Sequence, residues 1–172
     1  MGSEDKPSVI EQAQQWQPDR APQIVGVRVV KREVHPDERG RVMEIMRADE
    51  PQYIRFGQVY LCTAKPGAIK AWHVHRKQHD NFCCIRGQVR LVLFDDRPDS
   101  RTRGVFNEFT IGDGNYCTVQ IPPGVCHGFK GVSADEAEVI NIPTEPFDLE
   151  NPDEYRIPPR GVIDYDWSRR DG

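Results

Sequence analysis

No stretch of this chain approaches the roughly 18 to 20 consecutive apolar residues that a membrane-spanning helix requires. The polar opening MGSEDKPSVIEQAQQWQ also lacks the apolar core of a secretory signal. A membrane is therefore not an expected partner, and the expected location is the cytoplasm. Basic residues form no block: 23 Lys and Arg stand against 27 Asp and Glu, for a formal net charge of −4. That balance argues against nucleic acid as the main ligand, while leaving room for an anionic small molecule held by a few inward-facing cations. No Cys-x-x-Cys pair occurs among the five cysteines, Cys62, Cys83, Cys84, Cys117 and Cys126, so neither a thiolate zinc site nor a redox dithiol is indicated. They read as small buried hydrophobes, and Cys126 stands out only because it precedes His127. Sustained helical periodicity is missing too, and no internal repeat is visible.

What the chain does have is turns and short strands. At 172 residues it is long enough for one well-buried core and short for two. Its 14 Gly and 14 Pro are spread along most of its length, as a turn-rich β fold requires. Residues 1–22 are polar and Gln-rich, an arm that is a short helix or partly disordered; residues 23–172 read as a single domain. Strand-like runs recur at 24–30, 42–46, 57–63, 82–85, 88–94, 105–111, 117–121 and 137–142. Between them lie turn sequences such as His35-Pro36-Asp37-Glu38-Arg39-Gly40, Arg86-Gly87 and Pro122-Pro123-Gly124. Val89, Leu91 and Leu93 share one strand face, and Cys117, Val119 and Ile121 alternate with Thr118 and Gln120. The fold class predicted is all-β, a sandwich or jelly-roll barrel, with the Pro- and acid-rich segment from Phe147 to Trp167 wrapping the barrel or a partner subunit.

Chemistry concentrates in one pattern, Gly67-x5-His73-x-His75-x4-Asp80-x6-Gly87, followed by Pro122-Pro123-Gly124-Val125-Cys126-His127. Residues two apart on a strand point the same way, so His73 and His75 face one side together. Asp80 after the next turn and His127 from a later strand can converge on them. Three imidazoles and a carboxylate suit a divalent transition metal such as Fe, Mn, Zn or Ni. The pattern resembles the two motifs of the cupin superfamily, which implies a double-stranded β-helix jelly roll.

A narrower resemblance runs from about Asp37 to Trp167. Asp37-x-Arg39-Gly40-x3-Glu44, Gln58 placed fifteen residues before His73, Asp95-x-Arg97-x2-Ser100-x-Thr102-x-Gly104 and Ile121-Pro122-Pro123-Gly124-Val125-Cys126-His127-Gly128-Phe129 are similar to segments of the dTDP-4-dehydrorhamnose 3,5-epimerase family. The resemblance implies an enzyme that takes a proton from the carbon next to a 4-keto group of a nucleotide-linked deoxysugar. It needs no cofactor and acts as a homodimer. His73 then stands where the family has its catalytic base, and an imidazole, titrating at about 6.5, suits that task at neutral pH. Arg39 and Lys70 would hold the diphosphate, with Glu44, Gln58, Tyr60, Trp72, His75 and Phe147 completing the substrate site. His127 and Asn141 would share the catalytic centre, and Arg97 would fix the turn from Asp95 to Gly104.

The departures bear on the reaction. Asp80 takes the place of the family's enolate-facing Lys, His75 that of a Gln, Asn141 that of the Tyr acting as acid, and Phe147 that of a second Tyr. An Asn cannot deliver a proton as a phenol can. The family's Asp partner of the base has no firm match, Asp171 being the nearest acid in the C-terminal tail. A His-x-His is also similar to the 3,4-ketoisomerases of deoxysugar pathways. Two further readings follow from these differences. One is a metal-dependent cupin using His73, His75, Asp80 and His127; the other is a sugar-binding cupin without catalysis. Tyr155 and Tyr165 read as packing or subunit-contact residues, and His35 and His79 as loop and turn residues.

Overall fold

A computed structural model of the chain describes residues 22–168. The expected arm lies, apart from Pro22, outside the described residues, as does Asp171. In chain order the strands are β1 (Arg28–Lys31), β2 (Val34–Asp37), β3 (Gly40–Met43), β4 (Tyr60–Ala64), β5 (Ile69–Val74), β6 (Asp80–Arg86), β7 (Gln88–Asp95), β8 (Phe106–Gly112), β9 (Cys117–Ile121), β10 (Val125–Gly131), β11 (Ala137–Asn141) and β12 (Tyr155–Arg156). Two five-stranded sheets result, ordered β1-β9-β6-β11-β4 and β12-β5-β10-β7-β8, with β2 and β3 as a separate hairpin. All pairings are antiparallel. No helix among the described residues is long and apolar enough to cross a membrane. The all-β jelly roll expected from the short alternating runs is the fold observed.

The core is the meeting of the two inner faces. Phe82, Val119, Ile121 and Val139 from one sheet pack with Val89, Leu91, Leu93, Phe109 and Phe129 from the other. Strict alternation predicts polar outer faces open to water, and here the structure differs. Thr118 and Gln120 of β9 are buried because residues 45–52 cover them: Thr118 Oγ1 donates to the Ile45 carbonyl at 2.8 Å and Gln120 Nε2 to the Gln52 carbonyl at 2.9 Å. On the other sheet Val92, Trp72 and Cys126 face outward and are covered by Ile163, Tyr165 and Trp167. The expected C-terminal wrap is thus a second apolar layer. Trp72 sits in the middle of it with no exposed surface, in contact with Tyr165 and Trp167.

Four strands were not among the predicted runs. β2 crosses a stretch read as turn, and its Pro36 is tolerated because a two-stranded hairpin leaves outward N–H positions unused. β5, β10 and β12 mix histidines, glycines and charges, which mask the alternation on which the reading relied.

The most specific motif is structural. Asp95 is fully buried and its carboxylate accepts from Arg97 Nε at 2.8 Å, Ser100 Oγ at 2.6 Å and Thr102 Oγ1 at 2.7 Å. Burial pushes this carboxyl up, but the hydrogen bonds outweigh it and hold it well below the usual carboxylate range. Arg97 Nη2 also donates to the Val25 carbonyl at 2.8 Å, tying the turn to the segment that leads into β1.

Candidate active site

Between the two sheets opens a cavity of about 880 Å³, within the size of small-molecule sites. One sheet supplies Tyr60 and Cys62 of β4 and Phe82 of β6, with Gln58 just ahead of β4. The other supplies Ile69, Ala71 and His73 of β5 with His127 and Phe129 of β10. C-terminal residues Glu145 to Asp148, Asp153, Glu154 and Arg156 border it. Register brings the histidines together, since His73 is the direct partner of His127 across β5 and β10. Their close approach depends on Gly128, where an added Cβ would lie 2.3 Å from Cβ of Ala71.

His73 is oriented by a residue that the sequence did not reveal. Its Nδ1 lies 2.9 Å from Oε1 of Glu154, which precedes β12, the strand paired with β5. Burial raises the Glu154 carboxyl, but hydrogen bonds from Arg156 and His73 outweigh this and keep it below the ordinary glutamate range. An ionised Glu154 can only accept, so Nδ1 of His73 carries the hydrogen and Nε2 is the basic nitrogen. Such a pair can act as a base held by an orienting carboxylate. Glu154 is a carboxylate against His73, the kind of partner for which the resemblance offered no firm match in the C-terminal tail.

The other two histidines face a different carboxylate. Nε2 of His75 and Nε2 of His127 each stand 3.3 Å from Oδ2 of Asp80, which is 1% exposed. Their Nδ1 atoms are engaged by backbone acceptors: His75 with the Asp153 carbonyl, and His127 with the Val125 carbonyl at 3.2 Å. Burial lowers His127 to about 4, so it is neutral at pH 7. With both Nδ1–H groups committed to carbonyls, three acceptor atoms converge, an arrangement that a cation stabilises. Their ligating atoms lie within 4.8 Å of one another. His73 is not part of this group, so the predicted set of four ligands is corrected to three. The carboxylate of Asp153, whose carbonyl anchors His75, accepts from the backbone N–H of Arg76, Lys77 and Gln78 at 3.0, 2.8 and 3.2 Å.

Among the predicted substrate contacts, Gln58, Tyr60, Lys70, His75 and Phe147 line the cavity. Gln58 Oε1 accepts from the Phe147 backbone N–H at 3.1 Å, and Lys70 Nζ donates to Cys62 Sγ at 3.2 Å. Trp72 does not belong there: neighbouring residues on a strand point oppositely, so with His73 inward its indole lies in the outer aromatic layer. Asn141 is also corrected, being fully buried behind the wall and hydrogen-bonded to Tyr60, Asp80 and Asn81. Arg39 is 81% exposed at the β2–β3 turn and paired with Asp37, and Glu44 lies on the surface beside Arg47. Neither lines the cavity of its own chain. Lys77, Asp153, Glu154 and Arg156 also line the cavity and were missed; the acid-rich texture of the C-terminal segment was the only sequence signal of the last three. Cys126 packs in the outer layer, where burial pushes its thiol up to about 11, leaving it an inert hydrophobe.

The family model described as dTDP-4-dehydrorhamnose 3,5-epimerase matches residues 21–171. A probable low-salt glycan biosynthesis epimerase of Haloferax volcanii, Agl13, is 39% identical over 80% of this chain and 89% of its own. A dTDP sugar isomerase from Desulfovibrio desulfuricans G20 superposes with TM-score 0.81 at 30% identity, covering 86% of this chain and 94% of that one. NovW, a 4-keto-6-deoxy sugar epimerase from the novobiocin gene cluster of Streptomyces spheroides, superposes with TM-score 0.73 at 25% identity over 85% and 77%.

Proposed function

Because the chain belongs to the dTDP-4-dehydrorhamnose 3,5-epimerase family, we propose that it epimerises a dTDP- or other nucleotide-linked 4-keto-6-deoxysugar by removing a proton next to the keto group. The observation that carries this reading is the His73–Glu154 pair on the cavity wall. Glu154 fixes the tautomer that leaves Nε2 basic and stabilises the imidazolium formed when a proton arrives, as a carboxylate orients a catalytic histidine in general. The electron pair released on carbon delocalises onto the keto oxygen, and positive charge there favours the enolate. In this reading the cluster of His75, Asp80 and His127 supplies a hydrogen-bond donor toward that oxygen when it holds a proton. Lys70 and Lys77 take the diphosphate, and the exposed ring of Phe147 takes the base or the sugar. The outcome is inversion at C3, at C5 or at both, and a shift of the keto group uses the same first step.

The test is incubation with dTDP-4-keto-6-deoxyglucose in deuterated water, followed by NMR. Deuterium is expected at a carbon adjacent to the keto group, together with an epimeric product. No incorporation from several such sugars would remove the reading.

The three converging acceptors favour one second reading, in which a divalent transition metal replaces the proton. His75, Asp80 and His127 would hold it, and it would act as a Lewis acid toward a carbonyl oxygen. The donor set fits, since both histidines have the carbonyl partners on Nδ1 that ligating histidines generally show. Elemental analysis of protein purified without added metal separates the readings. A background content is expected for the proton-holding cluster, whereas a stoichiometric metal that disappears in His75→Ala establishes the second.

We further propose that residues 23–172 act as one domain within a homodimer. Arg39 and Glu44, outside the cavity of their own chain, would reach the partner's. Val59 and Leu61, exposed beside and on the edge strand β4, suit burial against a second copy.

A further inference from the structure

We propose that Tyr60 is the acid that returns a proton to the sugar from the face opposite His73, with Asn141 as its positioning residue. This rests on the epimerase reading. Inversion requires the carbon to be protonated from the side that the base did not use, so two proton-transfer groups must stand on opposing walls. His73 comes from β5 in one sheet and Tyr60 from β4 in the other, and both line the cavity. Among the described residues no other tyrosine lines it. Tyr165 lies in the outer aromatic layer, and Tyr155 stacks under the Arg76 guanidinium.

The register of β4 and β11 sets the phenol. Tyr60 is the direct partner of Asn141, whose amide orientation is forced: its Oδ1 accepts from the Asn81 backbone N–H at 2.9 Å. Its Nδ2 must then donate, to Oδ1 of Asp80 at 2.8 Å and to the Tyr60 oxygen at 2.9 Å. The phenol is an acceptor at this contact, so its own hydrogen is available to an acceptor in the cavity. The N–H from Asn141 also stabilises the phenolate that proton delivery leaves behind. Burial pushes Tyr60 up to about 12, so it is protonated at neutral pH and able to donate. The asparagine that stands where a phenol was expected thus serves one supplied by the neighbouring strand.

Protons and electrons balance. The sugar C–H bond breaks, His73 Nε2 takes the proton, and the electron pair passes to the keto oxygen. The Tyr60 O–H bond then breaks as a C–H bond forms on the opposite face and the pair returns to carbon, leaving phenolate. Loss of the His73 proton to water and gain of one by Tyr60 from water restore the site.

Tyr60→Phe keeps the ring and removes the hydroxyl at a half-exposed position. With dTDP-4-keto-6-deoxyglucose in deuterated water, this variant is expected to keep deuterium exchange while epimer formation falls by about 10²-fold or more. An unchanged ratio of epimer to exchange would overturn the assignment. Equal loss of both would also overturn it, making Tyr60 a residue that only places substrate. A wild-type protein that exchanges nothing removes the epimerase reading and this assignment together, so the two failures are distinguishable. Incorporating 3,5-difluorotyrosine at position 60 keeps the shape and makes the phenol more acidic. The alkaline limb of the kcat profile for epimer formation is expected to move to lower pH, and a limb that stays in place counts against the assignment.

Discussion

His73→Asn is expected to lower solvent exchange and product formation together by about 10²- to 10⁴-fold, the usual contribution of a positioned general base. The loss should fall on kcat, because Gln58, Lys70 and Phe147 still line the cavity and KM reports chiefly on binding. Glu154→Gln is expected to have a smaller effect of the same kind. A carboxamide can accept from Nδ1, but it cannot stabilise an imidazolium as a charge does. The two residues act as a unit, so Glu154→Gln should cost little more once His73 is gone. Steady-state kinetics on the two single variants and the double variant check this. Additive losses would show that Glu154 and His73 act separately, and a His73→Asn protein with wild-type exchange would place the base elsewhere.

Trp72→Ala is expected to destabilise the fold by about 3–5 kcal/mol, the usual range for truncating a large buried aromatic. The indole is fully buried against Tyr165 and Trp167. Its backbone also bonds the C-terminal segment, with the Trp72 N–H donating to the Ile157 carbonyl at 2.9 Å and the Trp72 carbonyl accepting from the Ile157 N–H at 3.0 Å. Loosening that segment displaces Glu154, three residues before Ile157, so kcat should fall as well. Urea unfolding followed by fluorescence and circular dichroism measures the stability change. Unchanged stability with a raised KM would instead mean that the indole contacts substrate.

The C-terminal segment therefore has two tasks. It buries the outer face of β5 through Ile163, Tyr165 and Trp167, and it brings Glu154 and Asp153 to the histidines on the inner face. Outer-layer packing and the geometry of the His73–Glu154 pair are coupled through a single strand, in which Trp72 points one way and His73 the other.

How much of this was legible follows from where each signal lies. The fold was readable because Val89, Leu91, Leu93, Val119 and Ile121 obey the two-residue period of a pleated strand. The convergence of His75, Asp80 and His127 was readable because one pair sits close in sequence and the third enters from a motif of recognisable type. Arg97 was correctly read as a turn residue. Trp72 was placed beside the substrate because it adjoins His73, but adjacency along a strand means opposite faces. Asn141 was judged by the proton it lacks, without knowledge of its partner across the ladder. The set of three histidines and one aspartate was too large because spacing does not say which carboxylate each imidazole meets.

By itself the sequence determined eight of the twelve strands, most of the turns between them and the family, since these depend on local periodicity and on short motifs that a linear chain carries whole. Tertiary structure alone decided the pairings that make the chemistry: Glu154 with His73, 81 positions apart, and Asn141 with Tyr60, again 81 apart. Contacts of that kind are set by sheet order and register. They are fixed by the burial of whole faces, and no property of the individual residues encodes them.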